Sequence, residues 1–223
     1  KNMKRLLTYG CSNTYGESLP DCLPTGNAKD RMPPPSQFAW PKVLSLKLKR
    51  ECVNLSKSGS SNKEIHLRIV ETDFNEDDIV VVLWTHHNRS CFIADTTASN
   101  GKPIINKLLP GWIEKRSNIP KWRRIYNQGY YELYHTNENA RYESQISIDH
   151  AYKHLEAKGI KNFHFTFDGK VISSKIFNTY SWFTAPVNNL NLIEDVGQDG
   201  YHPGLLAHVD IAEKMHAMIE KQL

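Results

Sequence analysis

No apolar run in this sequence is long enough to cross a bilayer. The longest, Ile79-Val80-Val81-Val82-Leu83-Trp84, is far short of the roughly 20 residues that a spanning helix needs. No apolar stretch of signal-peptide length stands near the N-terminus, so no secretory leader is expected and a cytoplasmic setting is. The four cysteines, Cys11, Cys22, Cys52 and Cys91, lack zinc-site spacing, which points to reduced thiols rather than a metal or disulfide framework. Neither sign of charge predominates: 28 Lys and Arg against 24 Asp and Glu give a formal net charge of only +4. The basic cluster Lys115-Arg116 and Lys121-Trp122-Arg123-Arg124 reads as a solvated face, so nucleic acid is not the expected partner. No internal repeat or dividing linker is visible. The 223 residues, 39% of them hydrophobic, suit a single domain over 1–223 with a sizeable core.

What is present is alternation. Arg5 to Tyr9 reads as a short buried strand, followed by a Pro/Gly-rich irregular stretch over Gly16 to Ser36. Gln37 to Arg50 predicts a helix whose start Pro41 can delay. Cys52 to Leu55 predicts a strand, Lys63 to Glu71 a helix, and Asp78 to Trp84 a β-branched strand buried on both faces. A mixed stretch over about 88–137 reads as an aromatic and basic insertion. Asn139 to Lys158 predicts a helix stopped by Gly159, Asn162 to Phe167 a strand, and Gly204 to Lys221 a last helix with one wide apolar stripe. Alternation of this kind implies an α/β fold with a parallel sheet covered on both sides by helices.

Just before the last helix stands Asp199-Gly200-Tyr201-His202-Pro203-Gly204. A carboxylate three residues before a histidine can bond one imidazole nitrogen and leave the other outward as a base. By itself this is also an ordinary turn. At the other end, Gly10-Cys11-Ser12-Asn13-Thr14-Tyr15-Gly16 leaves the first strand. A serine there sits at the carboxyl edge of the sheet, where α/β proteins place their sites. Thr14 stands where a nucleophile elbow needs glycine, and a plain serine N-cap is the alternative reading. Two further strand-end loops carry Gly59 and Thr85-His86-His87-Asn88-Arg89. Adjacent His86 and His87 in an extended segment point opposite ways, so joint metal chelation is not expected.

Taken together, these blocks resemble the SGNH (GDSL-type) hydrolase superfamily. Gly10-Cys11-Ser12 stands where the family has Gly-Asp-Ser. Asn54 through Gly59-Ser60-Ser61-Asn62 resembles the second block. Asp199, His202 and Pro203 match the last, Asp-x-x-His-Pro. The resemblance implies a flavodoxin-like three-layer α/β/α sandwich. It also implies Ser12 as nucleophile, His202 as base, Asp199 as its orienter, and Ser12 and Gly59 N–H groups in the oxyanion hole. The third block departs from the family's Gly-x-Asn-Asp. Either His86 or Asn88 is left to complete the hole, and an imidazole N–H can donate to an oxyanion.

The expected activity is therefore hydrolysis of an ester through an acyl-enzyme, on a small-molecule or glycan ester such as a carbohydrate O-acetyl ester, with no cofactor and no metal. An acyltransferase would use the same residues. Cys11 and the altered third block also suit a fold-retaining binding protein with weakened catalysis. Within the insertion, Trp112, Trp122, Tyr126 and Arg123 are candidate substrate contacts, because aromatic faces suit sugar rings and arginines suit anions. Packing of the insertion onto the sheet is the competing role for each ring. Tyr180-Ser181-Trp182-Phe183 is a candidate for another wall of the cleft.

Overall fold

A computed structural model describes residues 4–23, 33–97, 101, 103–110, 121–172 and 182–223. Its centre is a five-stranded parallel sheet built from β1 (Arg5–Tyr9), β2 (Glu51–Asn54), β3 (Ile79–Trp84), β6 (Lys161–Thr166) and β7 (Val187–Asn189), in the order β2-β1-β3-β6-β7. The helices are α1 (Ser12–Tyr15), α2 (Trp40–Lys47), α3 (Asn62–Val70), α4 (Lys121–Gly129), α5 (Asn137–Ala157) and α6 (Leu205–Glu220).

Side-chain alternation along the strands separates two cores. Ile79, Val81 and Leu83 of β3 join Leu6, Phe163 and Phe165 against Trp40 and Leu44 of α2 and Ile211 and Met215 of α6. Val80, Val82 and Trp84 join Leu7 and Tyr9 against Ile65 and Ile69 of α3 and Ile148 and Leu155 of α5. A strand with both faces covered has no polar face, which is why all six residues of β3 are buried. α2 begins at Trp40 with Pro41 in its first turn, the delay expected from a residue that cannot donate an N–H. This is the α/β sandwich read from the sequence, with helices on both sides of a parallel sheet.

Two parts were not foreseen. β7 is only three residues long and is held by pairing with β6 over His164↔Val187 to Thr166↔Asn189. The stretch after β3 opens with an antiparallel hairpin, β4 (Ser90–Thr97) and β5 (Pro103–Leu108), then α4 and a π-helical turn over Tyr130–Tyr134. Buried Asn127 locks α4 to the hairpin's exit, its Oδ1 accepting from Leu109 N and its Nδ2 donating to Leu109 O, both at 2.9 Å.

Strand order also locates the crevice. β1 lies between β2 and β3, so the chain moves from β1 to one side and then crosses to the other. Ligands of open α/β sheets bind beyond the strand ends at such a switch point. Here those ends carry Gly10-Cys11-Ser12 and Thr85-His86-His87.

Candidate active site

β1 runs through Gly10 into the serine turn. A Cβ on Gly10 would lie 2.0 Å from Thr14 Oγ1 and 3.0 Å from Leu83 O, so only glycine lets the chain pass. Ser12 opens α1, and its N–H has no acceptor one turn back. Its side chain is nearly enclosed, and Oγ contacts Cys11 Sγ at 4.0 Å. No hydrogen bond joins Ser12 Oγ to His202 among the described residues, so the expected nucleophile–base bond is not made in this resting geometry. Cys11 is a buried free thiol. Burial pushes its pKa up, but the charge of Arg89 and hydrogen bonds with Thr85, Asn13 and Ser12 outweigh this and leave it below the ordinary thiol value.

The loop before α6 has the expected pair. His202 Nδ1 lies 2.5 Å from Asp199 Oδ2, while Asp199 Oδ1 accepts the N–H groups of Tyr201 and His202 at 3.0 Å each. Gly200, at φ 71°, makes the reversal, a conformation that side-chain-bearing residues adopt at a cost. Asp195 ties this loop to the helix, accepting Gly204 N on its carbonyl at 3.0 Å and Ala207 N on Oδ2 at 2.9 Å. Partial burial pushes the Asp199 carboxyl up, but the His202 ring and the two backbone N–H groups hold it below the usual carboxylate range. With Nδ1 committed to Asp199, Nε2 is the free face, and Glu17 Oε2 lies 3.8 Å from it.

Gly59 follows β2 in a turn whose N–H donates to no acceptor among the described residues, as an oxyanion donor requires. The insertion roofs this turn. Lys107 Nζ of β5 donates to Ser58 O, and Leu109 stands against Gly59.

After β3, Asn62 at the start of α3 brackets Thr85, accepting its N–H at 2.8 Å and donating to its carbonyl at 3.0 Å. The next two histidines differ in burial, with side-chain exposures of 53% for His86 and 9% for His87, yet both turn Nδ1 to Asp168 Oδ2, at 3.8 and 2.7 Å. The segment is a turn here and not an extended strand, so the opposed directions expected of neighbouring side chains do not hold. His87 N also donates to Asp168 Oδ2 at 3.1 Å. Burial works to raise Asp168, but these imidazole and backbone bonds hold it far below the usual range.

His86 lines a small pocket with Cys11, Asn13, Thr85, Phe167 and Asp168. Asn88 gives its carbonyl to Tyr131 Oη at 2.7 Å, which fastens this loop to the insertion. Trp122 and Tyr126 are exposed on α4, the Tyr126 ring lying 4.7 Å from that of Phe92. Arg123 is half-buried on the same helix. None of these three lines that pocket. Trp112, Arg116, Tyr180 and Ser181 lie outside the described residues.

Sequence reasoning missed Asp168, Asn62 in its bracing role, and Glu17. Asp168 follows a strand that was predicted, so its place at the sheet edge was available. Nothing local marks Glu17.

No protein-family model matches the chain, and no curated protein matches it in sequence. Solved structures share its fold, which is that of the SGNH hydrolases that the sequence blocks resemble. One is a carbohydrate esterase described as having divergent catalytic and non-catalytic binding functions at its active site. It has a TM-score of 0.58 and 8% identity, over 99% of this chain and 66% of that one. An acetyl xylan esterase from Butyrivibrio proteoclasticus has a TM-score of 0.55 and 10% identity, over 98% and 64%. A carbohydrate esterase family 2 enzyme with a carbohydrate-binding domain, from Corynascus thermopiles (Myceliophthora fergusii), has a TM-score of 0.50 and 11% identity, over 97% and 65%. The chain thus spans about two thirds of the length of each, and the likeness is one of fold. No helix among the described residues is long and apolar enough to cross a membrane.

Proposed function

We propose that this chain is a serine esterase acting on a carbohydrate O-acetyl ester. The observation that carries the reading is the Asp199–His202 pair at 2.5 Å, whose second nitrogen makes no hydrogen bond among the described residues, on a loop tied through Ser18 to the turn that carries Ser12. Ser12 Oγ attacks the ester carbonyl and His202 Nε2 takes its proton. Asp199 holds the tautomer and stabilises the imidazolium. The Ser12 and Gly59 N–H groups, with His86 as side-chain donor, receive the oxyanion. The C–O bond to the alcohol breaks, and the proton on His202 passes to the leaving alkoxide. Water then adds to the acyl-enzyme with His202 again as base. Binding of the ester closes the Ser12–His202 separation, as resting sites are often loose and tighten in the Michaelis complex. A sugar hydroxyl in place of that water would make the same site an acyltransferase. The carbohydrate class is supported by the esterases of like fold and by the exposed rings of Trp122 and Tyr126.

One observation favours a second reading, a binding protein with weakened catalysis: Ser12 Oγ rests near Cys11 Sγ and not on His202. Hydrolysis of p-nitrophenyl acetate separates the two. The esterase reading expects turnover that falls about 10³-fold or more in Ser12→Ala. An inactive parent, or equal rates in parent and variant, overturns it.

A further inference from the structure

We propose that Glu17 is a positioning residue that fixes the base and the oxyanion loop to the nucleophile-bearing turn; this rests on the esterase reading above. Glu17 sits two residues past the end of α1, and both Gly16 N and Glu17 N donate to Ser12 O, at 2.9 and 3.2 Å. Its backbone is therefore set by the serine itself. Its carboxylate reaches two other catalytic loops: Oε2 accepts from Ser58 Oγ beside Gly59 and lies 3.8 Å from His202 Nε2.

The next residue continues the same connection. Ser18 is buried and has φ 77°, a left-handed conformation that serine rarely adopts. Held so, its Oγ accepts Asp199 N at 2.9 Å and its carbonyl accepts Gln198 N at 3.4 Å. Gly197 is confined by the same contact, because a Cβ there would come 2.5 Å from Ser18 Oγ. Residues 16–18 thus touch the nucleophile turn, the Asp–His loop and the Gly59 loop at once. Strained backbone survives where its surroundings over-determine it, and such places cluster at functional sites. In the resting site the Ser58 bond holds the Glu17 carboxylate beside the imidazole, 3.8 Å from Nε2, where it limits the ring's swing on its loop.

The test compares Glu17→Gln and Glu17→Ala with the parent, using p-nitrophenyl acetate and thermal melting. Glu17→Ala is expected to lower kcat about 10- to 100-fold with KM changed less than about threefold, and Glu17→Gln, which can still accept from Ser58, to recover part of that loss. A parent-like kcat in Glu17→Ala, or a kcat loss that Gln does not relieve and that tracks a fall in Tm, overturns the proposal. A second readout needs no turnover. Long-range 1H–15N correlation of the imidazoles should show the His202 Nε2 resonance displaced in Glu17→Ala while that of His87 stays in place. Unchanged His202 resonances overturn the proposal as well. Failure of Ser12→Ala to reduce hydrolysis sinks the esterase reading but leaves this comparison standing, so the two failures are distinguishable.

Discussion

Two Asp–His pairs stand at the carboxyl edge of one sheet, and they differ in nearly everything but composition. Asp199 and His202 are three residues apart on one loop, with side-chain exposures of 37% and 23%. Asp168 and His87 are 81 residues apart, on the ends of neighbouring strands, and are 11% and 9% exposed. In the first, the carboxylate binds one nitrogen and leaves the other without a hydrogen bond among the described residues, 3.8 Å from Glu17 Oε2. In the second, the carboxylate accepts both the ring and the backbone N–H of His87, so the pair clamps the end of β3 to the end of β6. An Asp–His bond alone therefore says little about catalysis. What separates a base from a brace is where the second nitrogen points and whether solvent or substrate can reach it.

The largest effect expected from this contrast is on turnover. His202→Ala should reduce hydrolysis of p-nitrophenyl acetate by about 10³–10⁴-fold with a parent-like Tm, whereas His87→Ala should stay within about tenfold of the parent. Steady-state kinetics on both variants decides it, and equal losses would erase the distinction. Asp199→Asn follows at about 10²–10⁴-fold, because the amide no longer selects the working tautomer.

The reverse ordering is expected for stability. Asp168→Asn or His87→Ala breaks a largely buried pair and should cost about 3 kcal/mol. For a chain of this size that corresponds to a fall in Tm of roughly 6–12 °C. Asp199→Asn should move Tm by less than about 2 °C. Melting curves by circular dichroism test both figures.

Buried histidines with no carboxylate bonded to the ring extend the comparison. His208 Nδ1 accepts Trp40 N at 3.1 Å, and His164 Nδ1 accepts Trp84 Nε1 at 3.0 Å. Burial holds them neutral, lowering His208 to about 4 and His164 to about 3. Between those values and the ordinary value near 6.5, the unfolded chain binds protons that the folded one refuses. Stability is thus full above about pH 6.5 and falls as the pH drops, by about 3 kcal/mol for His208 alone at pH 4. The lowered carboxyls of Asp168 and Asp199 add nothing in that window, since their contribution is lost only below about pH 4. Tm measured from pH 7 to 4.5 should decline, and less steeply in His208→Gln. A flat Tm would contradict this assignment. The smallest effect expected is that of Trp122→Ala, under about threefold on p-nitrophenyl acetate, with a larger rise in KM on an acetylated oligosaccharide.

The same contrast explains what the sequence could disclose. Asp199 and His202 were legible because both lie in one short motif, with Gly200 and Pro203 shaping the loop. β3 and α6 were legible because Ile79–Trp84 is an unbroken β-branched run and α6 carries one apolar stripe. Asp168 and His87 were not, because their meeting depends on β3 pairing with β6, a long-range fact that no local pattern encodes. β7 escaped for a related reason: Val187–Asn189 is three residues long and is a strand only by virtue of its neighbour. The hairpin β4–β5 was hidden because it forms a separate two-stranded ribbon whose register breaks between Ile93 and Thr97, which leaves little alternation to read. Glu17 reaches the site through α1 and Ser58, and its importance appears only when three loops are seen together.

The most direct test of the central claim is to trap the nucleophile. Treatment with a fluorophosphonate, followed by peptide mass spectrometry, should place a single phosphonyl adduct on Ser12. The adduct should be absent in Ser12→Ala and form far more slowly in His202→Ala. Labelling that persists in Ser12→Ala, or a parent chain that takes up no label while remaining folded, would contradict the assignment of Ser12 and His202 as nucleophile and base.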